Sequence, residues 1–553
     1  MDKNKILDFI KKYHIIKFAI IGLIILIAGP LISKIISELA FADLPKGLFN
    51  NLKKPLEVLL NLLFTALWVY IVFLDVRDVI YFDITGRPSF LKDARKFGRS
   101  WSELTTYYKN AEPHKLDVST FKEESWKQSE GVFFGVKDGR LIKIPSNSEA
   151  NIAVFGTPGS SKTTGIAIPT ASRFAGSVFA IDIKGDIYNY THRLRHILRF
   201  SPDMDDAIHQ SCHYNPFHGI NNMDYTDRKL FVENMAITLI PDEHGSDGNY
   251  FSSTARDMFQ GIVHYMLYLN PNTTFPDVLH AILHPSKDND LPKTIFEWIT
   301  KIIASDCNLA KERVSSLYGN NEKNISGGFN NLTKALVPLS NSVLDELLKD
   351  SPTQYSISIN ALEKGYDVYI QVKQENLHVY APLFTLITQS FMTAFTKRPD
   401  SSTGYKNKPI LMLLDEFPQL TFSLEQINMA LSTLRSKSVI CMLIAQNMAQ
   451  LENKYEDAGS RSMLGNCNYQ LILSCIDGKS QKYFSDLIGT KKVLVMSNNE
   501  NSGTTAYNGT TGQSCVEQRE PVYFPEDFGD LERELIIYFK GKYTKATKIK
   551  SYE

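Results

Sequence analysis

The sequence predicts an α/β fold in which a mainly parallel sheet is interrupted by an all-α segment and preceded by a pair of membrane-spanning helices. Three observations support this prediction. Two long apolar runs lie near the N-terminus, apolar strand-like segments that end in polar residues recur through the rest of the chain, and helical periodicity replaces them between about residues 221 and 349.

The composition limits the possible functions. At 553 residues the chain is longer than one typical domain. Its 60 Lys and Arg residues balance its 60 Asp and Glu residues, so any contact with nucleic acid must be local. The six cysteines include no Cys-x-x-Cys pair and the twelve histidines include no His-Glu-x-x-His motif, which argues against a disulfide framework and against a zinc site.

The two apolar runs, residues 14–36 and 56–74, are each long enough to cross a hydrocarbon core of about 30 Å as a helix. Lysines precede the first run, and lysines and arginines follow the second, which predicts a hairpin with both ends in the cytoplasm. A secretory signal peptide is the alternative for the first run. That run lacks a small-residue cleavage site, however, and a second span follows it.

A turn of small residues follows the strand predicted at residues 151–156 and leads into a helix. It reads GTPGSSKT, and in this layout successive backbone N–H groups and a helix N-terminus cradle phosphates. The residues predicted to bind nucleotide are Gly156, Thr157, Pro158, Gly159, Ser160, Ser161, Lys162, Thr163 and Thr164. Lys162 is expected to reach the β- and γ-phosphates, and Thr163 to offer its hydroxyl to Mg²⁺. Ser161 replaces the second glycine of G-x-x-x-x-G-K-[ST], so an ordinary strand-to-helix turn or an inactive nucleotide site are the alternatives.

Two acidic residues, Asp415 and Glu416, end a later apolar strand in KPILMLLDEFPQL. Because neighbouring side chains of a strand point in opposite directions, Asp415 can address Mg²⁺ through water while Glu416 polarises the attacking water. A solvated surface pair is the alternative. An earlier strand ends in IDIKGD and a later one ends in Gln446, an amide able to sense a γ-phosphate, so several strand ends are expected to face one crevice.

These features divide the chain into a membrane anchor (1–80), a nucleotide-binding domain in two parts (81–220 and 351–553) and an inserted all-α domain (221–350). Within the insertion, the stretch YGNNEKNISGGFNN is expected to be a solvated loop between helices, with a binding surface as the alternative. The polar residues 497–514 are expected to form a flexible loop between two late strands.

The order of these features resembles the TraG-like coupling proteins of type IV secretion systems, which have a RecA-like P-loop ATPase core. The resemblance covers nearly the whole chain and rests on the hairpin and on GTPGSSKTTGIAIP, AIDIKGDIYNYTHRLR, HYNPF, GSDGNYFSSTARDMFQGI, LLDEFPQL, LSTLRSKSVICMLIAQNMAQLENKY and PVYFPEDFGDL. It implies an ATPase that uses ATP and Mg²⁺, a homo-hexamer, and an inner-membrane location with the bulk of the chain in the cytoplasm. On the family's motifs Lys162 and Thr163 fall at the Walker A positions, Asp415 and Glu416 at Walker B, Arg435 at the arginine finger and Gln446 at the sensor.

The leading hypothesis is therefore a motor that drives conjugative DNA, nucleoprotein or protein substrates into a type IV secretion channel. Its implied partners are DNA without sequence preference, relaxase or effector proteins, and membrane-embedded channel components. One alternative is a docking receptor that binds nucleotide with negligible hydrolysis. Another is a chromosome translocase, against which stand the large all-α insertion and the HYNPF segment. Whether the cargo is DNA, protein or both stays open at this stage, as do the number of subunits and the effect of Ser161 on hydrolysis.

Overall fold

The structure of the chain is a computed structural model that describes residues 34, 54–63, 65–66, 126–242, 246–284, 291–352, 354–401, 406–500 and 511–551. By its internal contacts the chain divides into two compact units. One comprises Met1–Pro113 with Lys491–Glu520, and the other comprises His114–Thr490 with Pro521–Glu553.

The predicted membrane hairpin lies largely outside the described residues. Residues 54–63 and 65–66 are helical, and they overlap the start of the second predicted span at residues 56–74. In the described part of the chain, no helix is both long enough and apolar enough to cross a membrane.

Strands and helices alternate along most of the larger unit. The described strands are β1 (Val132–Lys137), β2 (Arg140–Ile144), β3 (Ile152–Phe155), β4 (Ser177–Ile181), β5 (Ile197–Phe200), β6 (Asp367–Ile370), β7 (Ile410–Leu414), β8 (Val439–Ala445), β9 (Tyr469–Ile472), β10 (Thr490–Glu500), β11 (Thr511–Pro521), β12 (Glu534–Phe539) and β13 (Lys542–Thr547). The described α-helices of the larger unit are α1 (Ile168–Arg173), α2 (Asp186–Thr191), α3 (Ala207–Gln210), α4 (Tyr225–Leu239), α5 (Ser246–Leu269), α6 (Phe275–Leu283), α7 (Ile295–Ala304), α8 (Asn308–Val314), α9 (Glu322–Leu336), α10 (Ser342–Leu347), α11 (Ile359–Lys364), α12 (Leu377–Thr396), α13 (Leu424–Thr433), α14 (Met448–Gly465) and α15 (Gly478–Ile488).

One 11-stranded sheet organises the larger unit, in the order β2-β1-β13-β12-β9-β3-β8-β7-β4-β6-β5. From β9 to β5 in that order every pairing is parallel, whereas β12, β13, β1 and β2 pair antiparallel at the other side. The parallel part agrees with the predicted α/β core. It also brings the carboxyl ends of β3, β4, β7 and β8 to one edge of the sheet.

The central parallel strands β3, β4, β7 and β8 are buried on both faces, as their nearly continuous apolar sequences predict. In β7, for example, Leu411 and Leu413 pack into the apolar cluster on one face of the sheet. Ile410, Met412 and Leu414 pack into the larger cluster on the other face, together with side chains of the helices from α4 to α10. In the central strands β3, β4, β7 and β8, polar side chains are therefore confined to the strand ends and to the turns that follow.

The described elements between Tyr225 and Leu347 are helical, as predicted for the all-α segment. The expectation of a solvated loop at YGNNEKNISGGFNN is wrong for most of that stretch, because Glu322–Leu336 form α9. A Cβ atom on Gly327 would lie 2.5 Å from the ring of Phe251, and one on Gly328 would lie 2.4 Å from Thr254. The two glycines therefore let α9 approach α5 closely, a packing role that composition alone does not reveal.

The strands β10 and β11 pair with each other in a separate two-stranded sheet. This corrects the two ends of the loop predicted at residues 497–514, because β10 continues to Glu500 and β11 begins at Thr511. Residues 501–510 of that prediction lie outside the described residues. A two-stranded ribbon does not need a continuous apolar face of the kind that identifies a core strand, so its polar sequence resembles that of a loop.

A buried histidine lies in α5, within the helical segment. His264 is 2% exposed, and neither of its ring nitrogens finds a hydrogen-bond partner among the described residues. Burial, with smaller contributions from the nearby Arg313 and Arg228, lowers the pKa of His264 to about 4. The folded protein therefore holds this imidazole neutral at pH values where the unfolded chain protonates it.

We expect the free energy of unfolding to fall as the pH drops below 6.5, the ordinary histidine value, toward about 4, because in that window the unfolded chain binds a proton that folded His264 excludes. Above pH 6.5 the imidazole is neutral in both the folded and the unfolded chain, so it does not change the free energy of unfolding. His264→Leu should reduce the slope of unfolding free energy against pH by about one proton, as measured by urea unfolding between about pH 4.5 and pH 7.5. The exposed His378 provides the control, since His378→Leu should keep the slope. An unchanged slope in His264→Leu would contradict a buried neutral imidazole.

Candidate nucleotide site

A pocket of about 360 Å³ lies at the carboxyl edge of the parallel strands. The turns that follow β3, β4, β7 and β8 form its walls, which explains why it gathers residues far apart in the sequence. Its lining residues are Pro158, Gly159, Ser161, Lys162, Thr163, Thr164, Ile183, Lys184, Asp186, Asp415, Glu416 and Gln446. Gly156, Thr157 and Ser160, also predicted to bind nucleotide, lie in the same turn but do not line the pocket.

The turn after β3 presents a cation and backbone donors to this pocket. Lys162 is 8% exposed, and its Nζ atom donates to the carbonyl oxygens of Gly156 at 2.5 Å and Thr157 at 3.1 Å. The N–H groups of Gly159 and Ser161 donate to no backbone carbonyl within the described part of the chain. Ammonium and backbone N–H groups in a turn are the donors that bind phosphate oxygens.

Ser161 takes the backbone conformation that the motif normally assigns to glycine. Its φ is 71°, and that of Gly159 is 81°. The left-handed region costs a residue with a Cβ atom on the order of 1–2 kcal/mol, whereas glycine enters it freely. The phosphate-binding shape is therefore formed despite the substitution, at a cost in backbone strain.

The turn after β7 holds two buried carboxyl groups in fixed positions. Glu416 Oε1 accepts a hydrogen bond from Gln446 Nε2 at 2.7 Å, and Glu416 Oε2 accepts one from Gln419 Nε2 at 3.3 Å. Asp415 Oδ1 accepts the N–H of Glu416 at 3.0 Å. Glu416 also has a left-handed backbone, with φ of 48°. Strained residues of this kind persist where the surrounding structure holds them, often at functional sites.

The charges in the pocket influence one another. Burial, with smaller contributions from the neighbouring Glu416 and Asp182, raises the pKa of Asp415 to about 7, although Lys162 opposes the change. Burial also lowers the pKa of Lys162, and the carboxylates of Glu416 and Asp415 oppose that change. Since burial opposes charge on both Asp415 and Lys162, a ligand that brings both cation and phosphate charge would be well matched to the pocket.

The turn after β4 adds two polar pocket residues that the sequence interpretation did not assign, Lys184 and Asp186, beside the apolar Ile183. Asp182 holds this turn in place through hydrogen bonds. It is 1% exposed and accepts hydrogen bonds from two backbone N–H groups of α2 and from Gln371 Nε2 at 2.9 Å. Burial raises the pKa of Asp182, although these donors favour its charged form. The signal for both missed residues was present in IDIKGD, whose polar residues were expected to face the crevice.

The chemistry of the pocket fits a magnesium ion with a nucleotide. Thr163 and Asp415 offer oxygen ligands, the type that Mg²⁺ prefers, and Mg²⁺ usually takes its remaining ligands from water and phosphate. The residues that the structure describes include no cluster of three or more His, Cys, Asp or Glu side chains that could hold a metal ion. Thr163 and Asp415 could thus hold Mg²⁺ together with phosphate oxygens.

Arg435 does not line this pocket. It lies at the amino end of β8, whereas Gln446 follows the carboxyl end of the same strand. Because β8 has 7 residues of about 3.3 Å each, the two positions are on the order of 20 Å apart. Arg435 instead lines a separate cleft of about 860 Å³, together with the cationic side chains of Arg461, Lys479, Lys482 and Lys540.

Comparison with known proteins identifies the family. A family model described as "Type IV secretory system Conjugative DNA transfer" matches residues 104–553. The VirD4 protein of Rhizobium radiobacter is 26% identical over 381 residues, which cover 66% of this chain and 52% of that protein. The conjugal transfer protein TraG of Escherichia coli is 22% identical over 436 residues, covering 72% of this chain and 65% of that protein. The chain spans about half the length of the VirD4 proteins from Rhizobium and Agrobacterium that it matches.

Solved structures share the fold. The plasmid coupling protein TrwB in complex with ADP and Mg²⁺ superposes with a TM-score of 0.55 at 14% identity, covering 79% of this chain and 95% of that one. Its complex with a non-hydrolysable ATP analogue gives the same TM-score of 0.55. At this identity the likeness concerns the fold, and it confirms the predicted α/β core. Because the family model spans most of the sequence, the chain belongs to the family of type IV secretory system proteins for conjugative DNA transfer, as the order of its motifs predicts.

Proposed function

We propose that the chain is a membrane-anchored ATPase that recruits conjugative DNA, nucleoprotein or protein substrates and drives them into a type IV secretion channel. The observation that carries this proposal is the convergence of Lys162, Asp415, Glu416 and Gln446 in one pocket at the edge of the sheet. Family membership supports DNA and secretion machinery as partners. A homo-hexamer, an inner-membrane location, and the division into anchor, two-part nucleotide-binding domain and all-α insertion belong to the same proposal.

In this proposal the turn after β3 binds the phosphates of ATP. Lys162 exchanges its bonds to the loop carbonyls for bonds to the β- and γ-phosphates, and the exposed N–H groups of the turn hold the remaining oxygens. Thr163 and Asp415 would hold Mg²⁺, which neutralises phosphate charge when it is bound.

Glu416 is the proposed base that orients the attacking water. Its carboxylate accepts one hydrogen bond from Gln446 and one from Gln419, so its direction is set before substrate arrives. The same hydrogen bond gives Gln446 a role as a sensor. A change at the γ-phosphate that moves the Glu416 carboxylate would be transmitted through Gln446 to α14, which starts two residues later.

A docking receptor that binds nucleotide with negligible hydrolysis is the second candidate. The observation that favours it is the strained serine at position 161, with φ of 71°. Steady phosphate release from the purified protein supports the motor, whereas nucleotide binding without turnover supports the receptor.

Glu416→Gln should retain nucleotide binding but slow ATP hydrolysis by about 10² or more, because it removes only the water-orienting carboxylate. Lys162→Ala should weaken nucleotide binding itself, because it removes the phosphate-binding cation. Binding of a fluorescent ATP analogue and release of phosphate from the full-length protein measure the two effects. Glu425→Gln, at an exposed position of α13, is the matched control and should hydrolyse ATP normally. Wild-type turnover by Glu416→Gln would exclude Glu416 as the base.

DNA should stimulate the ATPase without sequence preference, and binding should weaken steeply with salt, because contact by Lys and Arg releases counterions from phosphates. The chain has no net charge, so the contacting side chains must be concentrated locally. The test compares hydrolysis with two unrelated DNA sequences of equal length at about 50 and 200 mM salt. Hydrolysis that ignores both single- and double-stranded DNA would point to a protein-only exporter.

Arg435 is proposed to act as an arginine finger on the nucleotide of a neighbouring subunit. Within one chain it lies at the opposite edge of the sheet from Lys162, so it cannot reach the phosphates bound there. Arg435→Ala should therefore fold and bind ATP but lose on the order of 10³ in turnover. The alternative to a catalytic role is that Arg435 is an ordinary arginine at a helix end. Its loss would then cost under about 1 kcal/mol of stability and would leave turnover unchanged.

Mixing subunits tests this action between chains. Arg435→Ala and Lys162→Ala proteins, each inactive alone, should regain activity when mixed, because one interface then combines an intact Lys162 with an intact Arg435. Arg461→Ala, which removes an exposed cation from the same cleft, controls for general loss of charge and should stay active. Full activity of Arg435→Ala alone would remove Arg435 from the mechanism.

A further inference from the structure

A buried ammonium group lies beneath the phosphate-binding turn. Lys548 follows the last residue of β13 and is 8% exposed. Its Nζ atom donates hydrogen bonds to the carbonyl oxygens of Ser160 at 2.9 Å, Leu531 at 2.8 Å and Glu532 at 3.0 Å. These three bonds use all three donors of the ammonium group. In the part of the chain that the structure describes, Lys548 forms no salt bridge.

The carbonyl acceptors matter because burial opposes charge at this position. Burial lowers the pKa of Lys548 to about 8, while Cys475 and Glu532 oppose the change. A buried lysine without an ion pair is uncommon, since an apolar side chain would avoid the desolvation cost. The three hydrogen bonds from Lys548 to backbone carbonyls therefore indicate a specific role for its ammonium group.

One of those carbonyls belongs to the peptide unit that joins Ser160 to Ser161. The φ angle of Ser161, 71°, sets the direction of this peptide relative to the rest of the turn. A residue with a Cβ atom disfavours that angle, so an unrestrained serine would tend to rotate the peptide away from it. The hydrogen bond from Lys548 holds the peptide oxygen on the side that this angle requires.

The backbone around Lys548 is itself fixed against the same region. The carbonyl of Ile549 lies close to Gly165, where a Cβ atom would meet it at 3.2 Å. The hydroxyl of Tyr190 donates to the carbonyl oxygen of Ser551 at 3.1 Å. The residues that follow Lys548 therefore contact the helical segment after the turn and α2, which places the lysine against the same region.

We propose that Lys548 is a positioning residue of the nucleotide site, which compensates for the missing glycine at position 161 by fixing the peptide between Ser160 and Ser161. This inference rests on the proposed function, because it assumes that the turn binds the phosphates of ATP. It also makes the segment after β13 a part of the nucleotide site, although that segment does not touch the pocket.

The test is a double-mutant cycle in the full-length protein, with affinity for ADP and Mg²⁺ as the readout. Lys548→Met keeps the length and apolar stem of the side chain but removes the donors. It should weaken nucleotide binding by about tenfold or more, because charged donors to a buried carbonyl contribute strongly. In a Ser161→Gly background, the same Lys548→Met substitution should weaken binding by less than about threefold, because glycine holds the angle without help.

A matched control and a second variant keep the test decisive. Lys545→Met removes an exposed lysine of β13 that pairs with Glu534, and it should leave nucleotide affinity unchanged. If Lys548→Met fails to fold in thermal unfolding, Lys548→Gln replaces it in the cycle. Its amide is uncharged and offers two donors instead of three, so its loss of affinity should again be larger in the serine background than in the glycine background.

Two outcomes would overturn the inference. If Lys548→Met lowers the nucleotide affinity equally in the serine and glycine backgrounds, Lys548 does not compensate for Ser161 and only stabilises the structure around β13. No loss in either background would remove it from the site. ADP binding by Lys162→Ala shows whether a negative result concerns Lys548 alone or the proposed function as a whole. If Lys162→Ala binds ADP normally, the turn is not the phosphate site, whereas its loss of binding leaves the Lys548 cycle as an independent test.

Discussion

Burial of the parallel strands on both faces is the constraint on which the site depends. A strand such as β7 has no exposed face, so its side chains are apolar until the strand ends. Parallel strands end at the same edge, and the first polar residues after β3, β4, β7 and β8 are therefore brought together. This arrangement brings Lys162, Asp415 and Gln446 into one pocket although they lie far apart in the sequence.

The second feature of the site is backbone strain at two of its turns. Ser161 and Glu416 both have left-handed backbones, with φ of 71° and 48°. Each lies beside a polar contact that holds it, since Lys548 bonds the carbonyl that precedes Ser161 and Gln446 bonds the Glu416 side chain. Strain that is supported in this way fixes donors and acceptors before substrate arrives, which lowers the reorganisation needed for catalysis.

Sequence reasoning recovered the features that depend on local pattern. Apolar runs identified the core strands. The small-residue turn and the carboxylates after β7 indicated residues that the structure brings into one pocket, namely Lys162, Thr163, Asp415 and Glu416. It failed where tertiary contacts override composition. Gly327 and Gly328 suggested a loop, yet they allow α9 to pack against α5, because the residues that meet them lie far away in the chain.

Lys548 shows the same limit at the site itself. It lies 388 positions from Ser160 in the sequence, and nothing in the local pattern KATKIK separates it from the exposed lysines around it. Only the pairing of β13 beside β12 in the sheet places its ammonium group under the turn. Lys184 and Asp186 differ from Lys548 in this respect, because their position directly after a buried strand indicates in the sequence itself that they lie at the pocket.

The central claim is that the carboxyl edge of the sheet binds a nucleotide with Mg²⁺. Hydrogen exchange of the full-length protein, measured with and without ADP and Mg²⁺, tests it most directly because it reports on backbone N–H groups by position. The account predicts slower exchange concentrated in residues 156–164, 182–186 and 415–416 on addition of the nucleotide. Protection that is absent from residues 156–164, or that appears only elsewhere in the chain, would contradict it.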